Sequence, residues 1–135
     1  MTIVVDSSIA LAWFLPDENS PLALGVLMQV TESGAVVPQN FQVEFGNAPV
    51  VAVHRKRIDR DDRRRTFERI SDLELTTDRA GGTALWTDTV ELADEHGLTL
   101  YDGLYLELSL RTGLPLATLD KRLAKAALDV GRLRT

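Results

Sequence analysis

The chain has 135 residues, a length that fits one domain built around one core. Hydrophobic residues at 44% and charged residues at 26% match an ordinary globular composition and exclude a disordered chain. The absence of cysteine excludes disulfide scaffolds and thiolate metal centres, and the net charge of −5 argues against indiscriminate binding to polyanions.

The first apolar run, "TIVV" at residues 2–5, reads as a buried strand that ends at Asp6. No basic residue precedes it, and Asp6 separates it from the next apolar residues, so it does not read as a secretion signal. No stretch approaches the ~18 apolar residues of a membrane helix, and the expectation is a soluble, cytoplasmic protein with no membrane partner. Ser20 followed by Pro21 predicts a helix start, and Gly34 its stop, with Ala23, Val26, Leu27 and Val30 on one face. "AVV" at residues 35–37 is a second strand. The segment "EFGNAPVVAVHRK" reads as a helix except at Pro49, where an interior proline costs ~3 kcal/mol or more and predicts a bend or a break.

From Arg55 to Arg65, "RKRIDRDDRRR" sets seven basic residues against three aspartates. It fits either a solvated rim with internal ion pairs or a strip facing a polyanion. Asp59 or Asp61 caps a basic helix running to about Ile70, and "LELT" at residues 73–76 is a weaker strand. A helix from about Thr83 to His96 stops at Gly97, with Trp86 expected in the core. The next helix opens near Asp102, carries Leu104, Tyr105, Leu106, Leu108 and Leu110, and ends at Gly113. So little polar face predicts burial on most sides. "LPLAT" at residues 114–118 is a further strand, with Asp120 just beyond it. Strands alternating with helices predict an α/β fold, a mainly parallel sheet with right-handed crossovers.

Asp6 and Asp120 fall at the carboxyl ends of strands, where parallel sheets line their ligand crevice. Glu44 comes after the second strand and Asp102 opens the buried helix, so four acids from four segments are expected at one edge. Taken singly, Asp6, Asp102 and Asp120 each suit an ordinary helix cap and Glu44 a surface ion pair. Taken together they form an all-oxygen set whose mutual repulsion calls for a hard divalent ion such as Mg²⁺ or Mn²⁺, and phosphodiester hydrolysis is the leading chemistry. There is no "GxxxxGK" loop and no dinucleotide fingerprint.

Three blocks carry a resemblance: "IVVDSSIALAWFLPDE", "VPQNFQVEFGNA" and "GLTLYDGLYLELSLRTGLPLATLDKRLAKAA". In order and spacing they resemble the PIN-domain ribonucleases, most closely the VapC-type toxins of toxin-antitoxin pairs, over nearly the whole chain. The resemblance implies one PIN domain over residues 1–135, with a parallel sheet of about five strands between helices, and a homodimer. It implies an endoribonuclease in which Asp6, Glu44, Asp102 and Asp120 bind Mg²⁺ or Mn²⁺ and cut single-stranded or looped RNA, leaving a 5′-phosphate and a 3′-hydroxyl. Ser7, Asn47 and Thr118 would orient the acids. A VapB-type antitoxin would inhibit by placing an Arg or Lys among them. Arg55, Lys56, Arg57, Arg63, Arg64 and Arg65 are the candidates for RNA-backbone contact. Pro49 departs from the family pattern, which usually has a helix-compatible residue there, often Leu. That departure favours an alternative, a non-catalytic PIN-like module that binds protein or RNA; a small-molecule phosphatase lacks its nucleophile motif.

Overall fold

The computed structural model describes residues 1–15 and 20–135. β1 (Ile3–Val5) is wholly buried, as a strand of three consecutive apolar residues must be when both faces are covered. It pairs in parallel with β2 (Ala35–Val37) on one side and β4 (Leu116–Ala117) on the other, and β2 pairs in parallel with β3 (Leu75–Thr77). The order is β3-β2-β1-β4, four strands rather than about five. Among the described residues, the sheet continues beyond β4 as a single parallel bridge, Leu116 to Leu133. Gly131, at φ 74°, turns the chain back there; Leu116 then donates to the Arg132 carbonyl at 2.7 Å and accepts from the Arg134 amide at 2.9 Å.

The helices obey their punctuation. α1 (Ser7–Phe14) starts directly after β1, with the Asp6 side chain accepting from the Ile9 amide at 3.1 Å. α2 (Pro21–Ser33) is capped by Ser20 and stopped by Gly34, which lies at φ 74° against the Glu74 carbonyl. α3 (Phe41–His54) runs unbroken through Pro49, so the predicted break is not there. Pro49 is buried and lines, together with Leu11, Phe14 and Leu15, a cleft beside α1, so its apolar ring is withdrawn from water, a gain set against the lost amide hydrogen bond. For α4 (Arg60–Ser71) the cap is Asp59 rather than Asp61, because Asp59 and Asp62 each accept from the other's amide in a reciprocal box.

The expected long helix over residues 83–96 is divided. Ala80–Ala84 forms a 3₁₀ turn, Leu85–Thr89 a π turn, and only α5 (Val90–His96) is regular before Gly97. The Gly81–Gly82 pair weakens helix propagation, and Thr89 is pressed against Gly103 of α6 (Leu100–Thr112), where even a Cβ would lie 3.3 Å from the threonine. The irregular backbone turns Trp86 outward; it is 85% exposed, not in the core.

α6 is the buried helix the sequence predicts, with Tyr105, Leu106 and Leu108 fully inaccessible. After it come β4 and α7 (Lys121–Asp129). Glu107 is buried too, at 5% exposure, and pairs with Arg111, which also reaches Asp78 after β3. The Arg111 guanidinium holds the Asp78 carboxyl below its ordinary range. Arg111→Ala leaves Glu107 buried without a cation. Because Arg111 is itself a third exposed, the expected loss is about 1–3 kcal/mol rather than the roughly 3–5 of a fully buried pair, read from urea unfolding.

Candidate active site

Asp6 leaves the end of β1 as the cap of α1, which fixes its carboxylate at the carboxyl edge of the sheet. The oxygens are surrounded by donors: Ser8 Oγ gives to Oδ1 at 2.6 Å, and Thr118 Oγ1, just past β4, gives to Oδ2. Ser8 Oγ also accepts from the Leu119 amide at 2.9 Å, so it ties the end of β1 to the end of β4. Burial pushes the Asp6 carboxyl up to about 6; Ser8, Thr118 and the Ile9 amide pull it down, and the charge of Asp102 adds to the rise.

Glu44 stands in the first turn of α3. Its Oε1 accepts from Ser7 Oγ at 3.2 Å and from the Tyr105 hydroxyl at 3.1 Å, and its Oε2 accepts from Asn40 Nδ2. Three elements, α1, α6 and the turn before α3, therefore aim at one carboxylate. Asp102 lies in the first turn of α6, whose cap is Thr99. Its carboxyl is raised by burial and then by the charges of Asp120 and Glu44. Asp120 is exposed and caps α7 by accepting from the Leu123 amide at 3.0 Å, while its own amide donates to Thr118 Oγ1 at 3.0 Å.

The four predicted acids thus meet electrostatically, and two of the predicted orienting groups, Ser7 and Thr118, touch them. Asn47 is exposed on α3, and the amide that engages Glu44 is that of Asn40. Asn40, Ser8 and Tyr105 are donors the sequence does not single out; Asn40, four residues before Glu44, and Ser8, two after Asp6, carry a local spacing signal, whereas Tyr105 reaches Glu44 from 61 positions away. The basic strip lies apart. Arg55 ends α3, about 16 Å along the helix axis from Glu44. Arg64 pairs with Asp61 and Glu68 and Arg65 with Asp62, whereas Arg55, Lys56 and Arg57 are exposed.

Whether these residues suit a divalent ion is decided by their charge and donor chemistry. Among the described residues no ion pair brings Lys, Arg or His to the four acids. Asp6 and Asp102 are both raised in part by neighbouring carboxylates, and Asn40 Oδ1 is buried without a donor. As the side chains stand, no three acidic or histidine residues among those described close into a ligand cage. The donor chemistry of the set suits a hard cation: all oxygen, excess negative charge, one orphaned acceptor nearby.

The PIN domain family model matches residues 3–128. Ribonuclease VapC3 of Pyrobaculum aerophilum is 27% identical over 125 residues, covering 93% of this chain and 94% of its own. A crystal structure of a Pyrobaculum aerophilum protein superposes with a TM-score of 0.68 at 23% identity, covering 93% of this chain and 79% of that one. A toxin-antitoxin complex from Klebsiella pneumoniae gives 0.65 at 17% identity, over 98% of this chain and 96% of that one. FitAcB from Neisseria gonorrhoeae gives 0.66 at 15%, over 94% and 93%. At those identities the three structures speak for the fold.

Proposed function

Because the chain belongs to the PIN domain family, we propose that it is a divalent-metal-dependent endoribonuclease and the toxin of a toxin-antitoxin pair. The observation that carries the reading is the gathering of four carboxylates at the sheet edge with no cation paired to them among the described residues, three of them, Asp6, Glu44 and Asp120, held by neutral donors. The curated relative is named a ribonuclease and one structural relative is a toxin-antitoxin complex, which supports the same reading.

Asp6, Glu44, Asp102 and Asp120 would hold Mg²⁺ or Mn²⁺. When bound, such an ion stabilises charge on the scissile phosphate and lowers the pKa of the attacking water. The chain's own groups supply order: Ser8 and Thr118 fix the Asp6 carboxylate, and Ser7, Asn40 and Tyr105 fix that of Glu44. The products are a 5′-phosphate and a 3′-hydroxyl on single-stranded or looped RNA. A VapB-type antitoxin inhibits by placing an Arg or Lys among the acids, replacing the ion's charge. The working form is a cytoplasmic homodimer; exposed apolar residues such as Trp86 and Met28 leave surface for partner contacts, and no helix among the described residues is long and apolar enough to cross a membrane.

The test incubates the purified protein with a panel of RNAs in Mg²⁺, in Mn²⁺ and in chelator. Ion-dependent cleavage is the expected result; binding without cleavage in either ion contradicts it and returns the non-catalytic alternative. That alternative drew on Pro49, yet α3 is continuous there and every donor to Glu44 is in place.

The basic strip is proposed to track the RNA backbone. Reversing Arg55, Arg57 and Arg63 to Glu is expected to weaken RNA binding and to flatten its salt dependence, by about 0.7 in log–log slope for each phosphate no longer neutralised. An unchanged slope in a filter-binding titration makes the strip a solvated rim.

A further inference from the structure

Tyr105 lies three residues after Asp102 on α6 and is fully inaccessible, packed in the core that backs β1. Its hydroxyl is the one polar atom of a side chain otherwise surrounded by apolar groups. That hydroxyl crosses from α6 to α3 and donates to Glu44 Oε1 at 3.1 Å. Ser7 Oγ shares the same oxygen at 3.2 Å, but a half-buried serine hydroxyl is a rotor that can turn to water. A phenol on a ring locked by core packing has one place to point, and a buried hydroxyl left without an acceptor is penalised.

We infer that Tyr105 is a positioning residue for Glu44, gripping one carboxylate oxygen from the core side and so fixing the orientation of the carboxylate at the sheet edge. This rests on the proposed metal site, in which Glu44 is a ligand. The hydrogen bond also ties the two helices that carry Glu44 and Asp102, so the spacing between those acids depends on it. Outer partners of metal ligands commonly set about 10–100-fold in affinity.

The test is Mn²⁺ binding to the metal-stripped full chain, by calorimetric titration, for the parent, Tyr105→Phe and Glu44→Gln. Tyr105→Phe keeps the ring and its packing and removes one oxygen. The expected result is weaker Mn²⁺ binding by about 10-fold or more in Tyr105→Phe, and a larger loss in Glu44→Gln. Binding by Tyr105→Phe within about twofold of the parent, while Glu44→Gln is impaired, overturns the role of Tyr105 and leaves the metal site standing. Unimpaired binding by Glu44→Gln overturns the metal-site reading, and the inference with it. Should Tyr105→Phe not fold, 3-fluorotyrosine placed at 105 keeps the hydroxyl. Its ¹⁹F resonance is expected to shift with the Mg²⁺ binding midpoint, and a resonance indifferent to Mg²⁺ overturns the inference.

Discussion

In metal-free buffer at pH 8, Asp6→Asn unfolds at a higher temperature than the parent chain. Asp6 is 4% exposed, and burial lifts its carboxyl to about 6 from 3.8, against the pull of Ser8, Thr118 and the Ile9 amide. Between those two pH values the folded chain keeps a proton at Asp6 that the unfolded chain has lost. Stability therefore falls as pH rises through that window, and above it the ionised carboxylate opposes folding by roughly 3 kcal/mol. Asparagine is close in size, still accepts from the Ile9 amide and carries no charge. The expected gain is about 1–3 kcal/mol at pH 8, opening between about pH 4 and 6.5 and absent below. Asp102, raised by burial and by Asp120 and Glu44, contributes with the same sign. The check is thermal unfolding of parent and variant across pH in chelator, read as the difference between them. A variant less stable than its parent at pH 8 means that Asp6 is a structural cap and not a carboxylate held against its solvation.

Asp102→Asn is expected to leave the fold intact and to lower RNA cleavage by more than about 100-fold, beyond what losing an outer partner of a ligand costs. Asp102 is the acid whose carboxyl feels both Asp120 and Glu44, so its removal opens the centre of the cluster. The fold should not suffer, because the cap of α6 is Thr99 and the helix is anchored by Tyr105, Leu106 and Leu108. Single-turnover cleavage in Mg²⁺ measures it, with circular dichroism as the control for folding. Undiminished cleavage removes Asp102 from the site.

These two outcomes pull in opposite directions for one reason. A set of acids gathered without a cation destabilises the chain that gathers them, and a bound ion reverses the sign. On the proposed reading, stability is given up at the sheet edge for the capacity to bind a cation.

Much of this edge was legible from local chemistry. Ser20-Pro21 and the glycines at 34, 97 and 113 bounded their helices because caps and left-handed stops are set by a few adjacent residues. The acids were placed by connectivity, since a residue that ends a parallel strand has little choice of edge. What the sequence did not show was set by tertiary contact. Pro49 reads as a break because its burial in the folded chain is not a local property. Trp86 looked like core because the π turn that ejects it arises where Thr89 meets Gly103, fourteen positions away. The donors to the acids were half visible: Ser7 and Thr118 lie within two residues of Asp6 and Asp120 in the chain, whereas Tyr105 reads as one more apolar residue until its hydroxyl is seen to cross to α3. Glu107, buried beside Arg111 and Asp78, took the basic partner rather than a place among the acids.

If Asp6, Glu44, Asp102 and Asp120 together form a cation site, Mn²⁺ titration of the metal-stripped protein reads it directly. The expected result is saturable binding that raises the unfolding temperature of the parent and is lost in Asp102→Asn. Binding that Asp102→Asn leaves intact, or no binding by the parent, contradicts it.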